Sequence, residues 1–361
     1  MTTLDNHLQL QDVASLTAAL LDIESVSGNE RQIADDVEAA LTALGHLEVV
    51  RDGDAIMART NLGHDERVVL AGHLDTVPLP TTEGSRGTVP SHWDGSSLFG
   101  RGATDMKGGV AVQLALAAGL AAPNRDVTYV FYDHEEVEAS LSGLGRLAEH
   151  YPGWLQADFA ILLEPTNGNV EGGCNGTARF DVTTTGKAAH SARAWMGANA
   201  IHAAAPVLTR LSDYEPAAVN VDGLDFRESL NAVRIQGGKA GNVIPDHNVV
   251  EVNYRFAPDK TEQQAHEHVR QLLDGFDVVV TDSSAGAKPG LNHPAAASFV
   301  EAVGAEAKPK YGWTDVARFS ELGVPAVNFG PGDSLLAHSD DEHVSAEAIR
   351  DCLAALTRWL S

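Results

Sequence analysis

Four short apolar runs, each leading to a side chain that can ionise or bind a metal, constrain this chain more than any other feature. VVLAG (68–72) runs into His73, VTYVFYD (127–133) into Glu135 and Glu136, DFAILL (158–163) into Glu164, and PAVNFG (325–330) leads to His338. Runs of this length and composition read as buried strands. Helical segments over Gly109–Leu120 and Leu141–His150 alternate with the first three, which is the order of an α/β domain with a mostly parallel sheet and covering helices. Ligands of open α/β sheets bind beyond the carboxyl ends of the strands, where these polar residues fall. A helix over residues 12–21 comes first, and Ser27 or Asn29 could cap the amphipathic helix after it.

The character of the chain changes near residue 177 and again near residue 290. The strand TARFDVTTTG, a helix over 199–211, the strands SLNAVRIQGG and VVEVNYRFAP, the helix TEQQAHEHVRQLL and the strand FDVVVTD follow in turn. That β-α-β-β-α-β order is ferredoxin-like. The α/β character then returns and closes with a helix over Ser345–Leu360. The expected organisation is a discontinuous domain of residues 1–176 and 291–361, with residues 177–290 inserted. GSRGTVPSHWDGS (84–96) reads as a surface loop.

Charge narrows the partners. Fifty acidic against twenty-five basic side chains leave a net charge of -25, which repels phosphate backbones and anionic lipid surfaces. Nucleic acid and membrane are therefore excluded as expected partners. The N-terminus lacks a signal-peptide pattern and no apolar run reaches a bilayer span, so the expectation is a cytoplasmic protein acting on a small molecule. Cys174 and Cys352 are too few and too far apart for a disulfide framework or a thiolate metal site. A metal here would use His73, His338 and the carboxylates, including Asp105 of FGRGATDMKGG, a donor set suited to Zn²⁺, Mn²⁺ or Co²⁺. Each residue alone has a plainer reading. His73 could be an ordinary hydrogen-bonded histidine, Glu135-Glu136 a solvated pair, and Asp105 a helix cap. FGRGATDMKGG also looks like a phosphate loop, but no GK[ST] follows its glycines and no acidic ribose partner is in place. The conjunction at one sheet edge outweighs these separate readings.

GHLDTVP, FGRGATDMKGG, the EE pair, LLEPT and AHSDDEHV, in this order, resemble the dinuclear zinc amidohydrolases and exopeptidases of the M20 type over essentially the whole chain. HSARAWMGANAIHAAAPVL and SLNAVRIQGGKAGNVIPD are most similar to the branch that removes succinate from an N-succinyl amino acid in amino-acid biosynthesis. The resemblance implies a zinc-exopeptidase-like catalytic domain carrying an inserted dimerisation or lid domain. It implies two Zn²⁺ per chain, replaceable by Co²⁺ or Mn²⁺. His73 and Glu164 would hold one, Glu136 and His338 the other, and Asp105 would bridge them. Asp75 would take the free ring N–H of His73, and Glu135 would act as general base and acid. His190 would stabilise the oxyanion from the partner subunit of a homodimer, while Asn231 and Arg255 grip substrate. A cis peptide is implied between Asp105 and Met106. Deacetylases and carboxypeptidases of the same family would share these metal residues, as would a relative without catalysis, against which the retained Glu135 speaks. One departure is EEVEAS, where many relatives carry a glycine after the acidic pair.

Overall fold

Val68 to Gly72 are buried side by side, because the strand Arg67–His73 lies inside an eight-stranded sheet. The sheet order is Glu48–Asp52, Ala55–Arg59, Asp126–Tyr132, Arg67–His73, Phe159–Leu162, Ala326–Asn328, Val170–Gly172, Ala307–Pro309. The four middle strands from Asp126–Tyr132 to Ala326–Asn328 are parallel, and antiparallel pairs flank them. The structure is a computed structural model that describes residues 12–361. The N-terminal stretch read for a signal peptide lies, up to residue 11, outside the described residues.

The chain forms two compact units. One comprises the residues up to Gly172 with Gly290–Lys308 and Arg318–Ser361, and the other Gly173–Pro289 with Pro309–Ala317. The excursion over Pro309–Ala317 has no compositional signal in the sequence.

In the first unit the helices Val13–Leu21, Lys107–Gly119 and Ala346–Leu360 pack on one another and join the apolar core of the sheet. The helix Arg31–Ala43 buries Ile33, Ala34, Val37, Ala40 and Leu41, an i, i+3, i+4 stripe against the core. Neither Ser27 nor Asn29 caps it, contrary to the sequence reading. Glu30 occupies that position, and the Ser27 hydroxyl instead donates to Asp75 Oδ2 at 2.6 Å. The expected loop over 84–96 also contains structure, since His92–Asp94 and Ser97–Phe99 form a hairpin with His343–Ser345 as third strand.

The second unit is a four-stranded antiparallel sheet in the order Ser229–Gly237, His247–Phe256, Gly176–Thr185, Asp277–Ser284. Burial alternates along its inner strands, so Ala178, Phe180, Val182, Val250, Val252, Tyr254 and Phe256 form one apolar face packed with Val207, Leu211, Ala265 and Val269 of the helices. A capping box of Thr261 and Gln264 starts the helix Glu262–Leu272. The helix expected over 199–211 is two, Ala200–Ala203 and Ala205–Ser212, because Pro206 has no N–H to bond the fourth carbonyl back. A hairpin that the sequence reading lacks joins Ala218–Val221 to Leu224–Arg227 through Asp222 and Gly223, whose φ values of 50° and 90° suit a tight hairpin turn.

Candidate metal centre

His73 ends its strand wholly buried. Its Nδ1 lies 2.9 Å from the backbone carbonyl of Asp75 and 3.5 Å from Asp75 Oδ1, so the carbonyl and the carboxylate of Asp75 both face that ring nitrogen. Nε2 then faces Asp105 Oδ1 at 3.0 Å and Glu164 Oε1 at 4.0 Å. The Asp75 carboxylate has other work: it accepts the Ser27 hydroxyl at 2.6 Å and the backbone N–H groups of Glu135 and Glu136 at 3.0 and 3.1 Å. One side chain thus fixes the path of the acidic pair, Val137-Glu138 notwithstanding.

The two oxygens of Asp105 face opposite ways. Oδ1 points at His73, and Oδ2 lies 3.3 Å from His338 Nε2, which is itself 2.9 Å from Glu136 Oε1. The Asp105-Met106 peptide is cis, and His338 sits at φ 62°. Gly109 lets the first turn of the helix Lys107–Gly119 press on the backbone of Leu163, because a Cβ there would collide with the Leu163 carbonyl. That close approach brings the loop of Asp105 against the strand end that carries Glu164.

Donor atoms of His73, Asp105 and Glu164 lie within 4.8 Å of one another, and so do those of Asp105, Glu136 and His338, and those of His73, Glu135 and Glu136. The charges explain why such a set suits cations. Burial pulls His73 down, but its bonds to Asp105 and Asp75 and the charge of Glu135 outweigh this and raise it well above the ordinary histidine range. Hydrogen bonds to Asp105 and Glu136 lift His338 to about 10. Asp75 falls to about 2 despite burial, held down first by His73, and Asp105 is likewise depressed by His338 and His73 against its desolvation. Asp105 leans on the positive charge of two histidines, and N/O donors packed this way fit divalent ions of the zinc, manganese and cobalt group.

His190, Asn231 and Arg255 belong to the second unit. His190 is exposed, and its Nδ1 accepts the N–H of Ala192 at 3.1 Å, which leaves Nε2 to carry the proton and to donate. Asn231 pairs with Asn253 and Arg255 with Ser229, so Asn231 and Arg255 share the sheet face opposite the helices. Burial and then the charge of Arg179 lower Arg255.

Sequence reasoning missed two residues of the first unit. Lys107 is fully buried and donates to the carbonyls of Leu20 and Ile23 at 3.2 and 2.7 Å, with burial pushing it down to about 7. Glu342 is also buried and bonds the loop of Asp105. Only its place in DDEHV, between two exposed acids and a strand, hinted at it.

Fold and donor set define a metallopeptidase-type scaffold, a largely parallel sheet with His and carboxylates at its carboxyl edge and an antiparallel unit inserted. The sequence profile described as Peptidase family M20/M25/M40 matches residues 69–361, and the chain belongs to this family. It is 44% identical over 363 residues to the succinyl-diaminopimelate desuccinylase of Corynebacterium glutamicum, covering 98% of this chain and 97% of that one. It is 52% identical over 352 residues to a Mycobacterium tuberculosis H37Rv protein provisionally named succinyl-diaminopimelate desuccinylase DapE, covering 97% and 98%. The fold matches that of an M20 family metallo-carboxypeptidase from Sulfolobus solfataricus with a TM-score of 0.77 at 15% identity, covering 97% and 98%. No helix among the described residues is long and apolar enough to cross a membrane.

Proposed function

We propose that this chain hydrolyses N-succinyl-LL-2,6-diaminopimelate to succinate and LL-2,6-diaminopimelate, a step of diaminopimelate and lysine synthesis. The observation that carries the hydrolytic reading is Asp105, whose two oxygens serve His73 and His338 separately. The choice of substrate rests on the names and near-full-length identity of the two actinobacterial relatives.

In this reading His73 with Glu164 would hold one Zn²⁺ and Glu136 with His338 a second, with Asp105 available to both. Bound there, the ions would supply Lewis acidity to water and to the amide carbonyl. Glu135, its backbone fixed by Asp75, takes a proton from the attacking water at its carboxylate and returns it to the leaving amine. His190 donates from Nε2 to the oxyanion of the tetrahedral intermediate. Arg255 binds a substrate carboxylate through its planar guanidinium, and Asn231 on the same face adds an amide.

The oxyanion donor comes from the partner subunit of a homodimer. Support for a dimer lies in the edge strand Ser229–Gly237, which leaves Val233 and Ile235 61% and 47% exposed, an apolar edge of the kind that pairs with another chain.

The experiment is a panel of N-succinyl-LL-2,6-diaminopimelate, N-acetylornithine and a dipeptide with C-terminal glutamate. Preference for the first supports the proposal. Preference for the second or third reassigns the chain as an acetylornithine deacetylase or a carboxypeptidase with the same centre.

A further inference from the structure

Glu342 lies four residues after His338 and is 1% exposed. Its Oε1 accepts two consecutive backbone N–H groups, those of Thr104 and Asp105, each at 3.0 Å. Its Oε2 accepts Arg101 Nη1 at 2.7 Å, and that nitrogen also reaches the carbonyl of Ser339 at 3.2 Å. Further bonds close the same seam. Gly100 N–H donates to the Glu342 carbonyl at 3.2 Å, and the Thr104 hydroxyl donates to the carbonyl of His343 at 2.7 Å. One buried carboxylate thus joins two segments more than two hundred residues apart. The first presents Asp105, and the second presents His338.

The two segments carry neighbouring donors. Asp105 Oδ2 and His338 Nε2 are 3.3 Å apart, a separation that depends on how loop 100–105 sits against 338–343. Ligand positions in metal sites are set by the hydrogen bonds behind them, and loss of such a partner typically costs 10- to 100-fold in metal affinity or activity.

We propose that Glu342 is a positioning residue for the ion at Asp105, Glu136 and His338, acting through its grip on the Thr104 and Asp105 backbone amides. This rests on the dinuclear reading above. The grip depends on reach rather than charge. Glu342→Asp keeps the carboxylate but shortens it by one methylene, so it cannot hold both amides and Arg101 together. Glu342→Gln keeps an oxygen at the same reach for both amides and gives up the ion pair with Arg101.

The test is titration of metal-free protein with Co²⁺, followed by calorimetry and visible absorption, with His338→Ala as the reference for an ion at the other site. Thermal melting of each metal-free variant checks folding. Wild type is expected to bind two ions. E342D is expected to bind the ion at His338 10- to 100-fold more weakly with an altered Co²⁺ spectrum, while the ion at His73 and Glu164 changes less. E342Q is expected to melt earlier yet bind both ions within about threefold of wild type. The proposal is overturned if folded E342D binds both ions with wild-type affinity and spectrum. It is equally overturned if E342Q loses as much affinity as E342D was expected to lose, a comparison that stands even where E342D does not fold. Wild type that binds no ion contradicts the dinuclear reading itself, and two ions bound equally well by wild type and E342D contradict this inference alone.

Discussion

The carboxylate of Asp75 holds the backbone N–H of Glu135 at 3.0 Å, and its second oxygen holds that of Glu136 at 3.1 Å. A residue two positions beyond His73 on one strand end therefore sets the course of the acidic pair at another. Fixing both amides sets where the two carboxylates start, so that Glu136 reaches His338 and donor atoms of Glu135 and Glu136 both come within 4.8 Å of one of His73. Asp75→Asn keeps the shape but offers one acceptor oxygen for two amides and the Ser27 hydroxyl. The expected result is a kcat lower by about 10- to 100-fold, with KM changed far less. Steady-state kinetics on the variant check this, and an unchanged kcat would leave Asp75 with a packing role only.

Chemistry and metal binding should separate at the pair itself. Glu135→Ala is expected to lower kcat by about 10²–10⁴ and to keep the metal content of wild type. Elemental analysis of the purified variant reads the second half of that statement. Loss of an ion instead of turnover would exchange the roles assigned to Glu135 and Glu136.

Removing the ions should also loosen the fold, since the proposed donors His73, Asp105, Glu136, Glu164 and His338 come from five separate segments of the first unit. At a free concentration of 100 times Kd, each bound ion contributes about 2.7 kcal/mol. The chelated protein is expected to melt at a lower temperature and to recover on addition of Zn²⁺, as followed by calorimetry. Melting curves that coincide with and without metal would argue against binding to the native state.

Much of this was legible in the sequence, for a physical reason. A strand buried on both faces must be apolar throughout, so the first polar residue after it stands out; His73 and Glu164 could be found that way, and so could the sheet that carries them. Residues whose work is done through backbone amides gave no such signal. A hydroxyl at Ser27 favours a helix cap by local propensity, yet its partner is Asp75, 48 residues away. Glu342 looked like one acid among three. The broken helix near Pro206 and the hairpin at Asp222-Gly223 are written in local chemistry, a missing N–H and two positive φ angles. Pro309–Ala317 joins the second unit through contacts such as the Asn175 N–H to the Lys310 carbonyl at 3.1 Å, which no local pattern encodes.

Acid stability offers a check away from the centre. Asp126, 3% exposed, accepts the Thr60 hydroxyl and the N–H groups of Leu62, Gly63 and His64. Burial pushes its carboxyl up, but these bonds and Arg67 outweigh it and hold it below the ordinary value. With the folded value depressed, its contribution is full above about pH 4 and is lost as pH falls through the folded value. Asp126→Asn is expected to cost about 1–3 kcal/mol at neutral pH, with the gap to wild type narrowing below about pH 4. Denaturant melts across pH 2–7 measure it, and a gap independent of pH would refute the assignment.

Subunit mixing tests the assigned source of the oxyanion donor. Glu135→Ala and His190→Ala chains are each expected to be nearly inactive, the latter by about 10²–10³ in kcat. Mixed under conditions that exchange subunits, they should regain activity, since a mixed dimer holds one site with both wild-type residues. Confirmed exchange without recovery would assign His190 to its own subunit or to none.

The most direct measurement is turnover of N-succinyl-LL-2,6-diaminopimelate during stepwise return of Zn²⁺ to metal-free enzyme, with bound metal counted on the same samples. Succinate release should be absent without metal and should reach its full rate as occupancy approaches about two ions per chain. Undiminished release from the metal-free enzyme, or no release at full occupancy, would contradict the account.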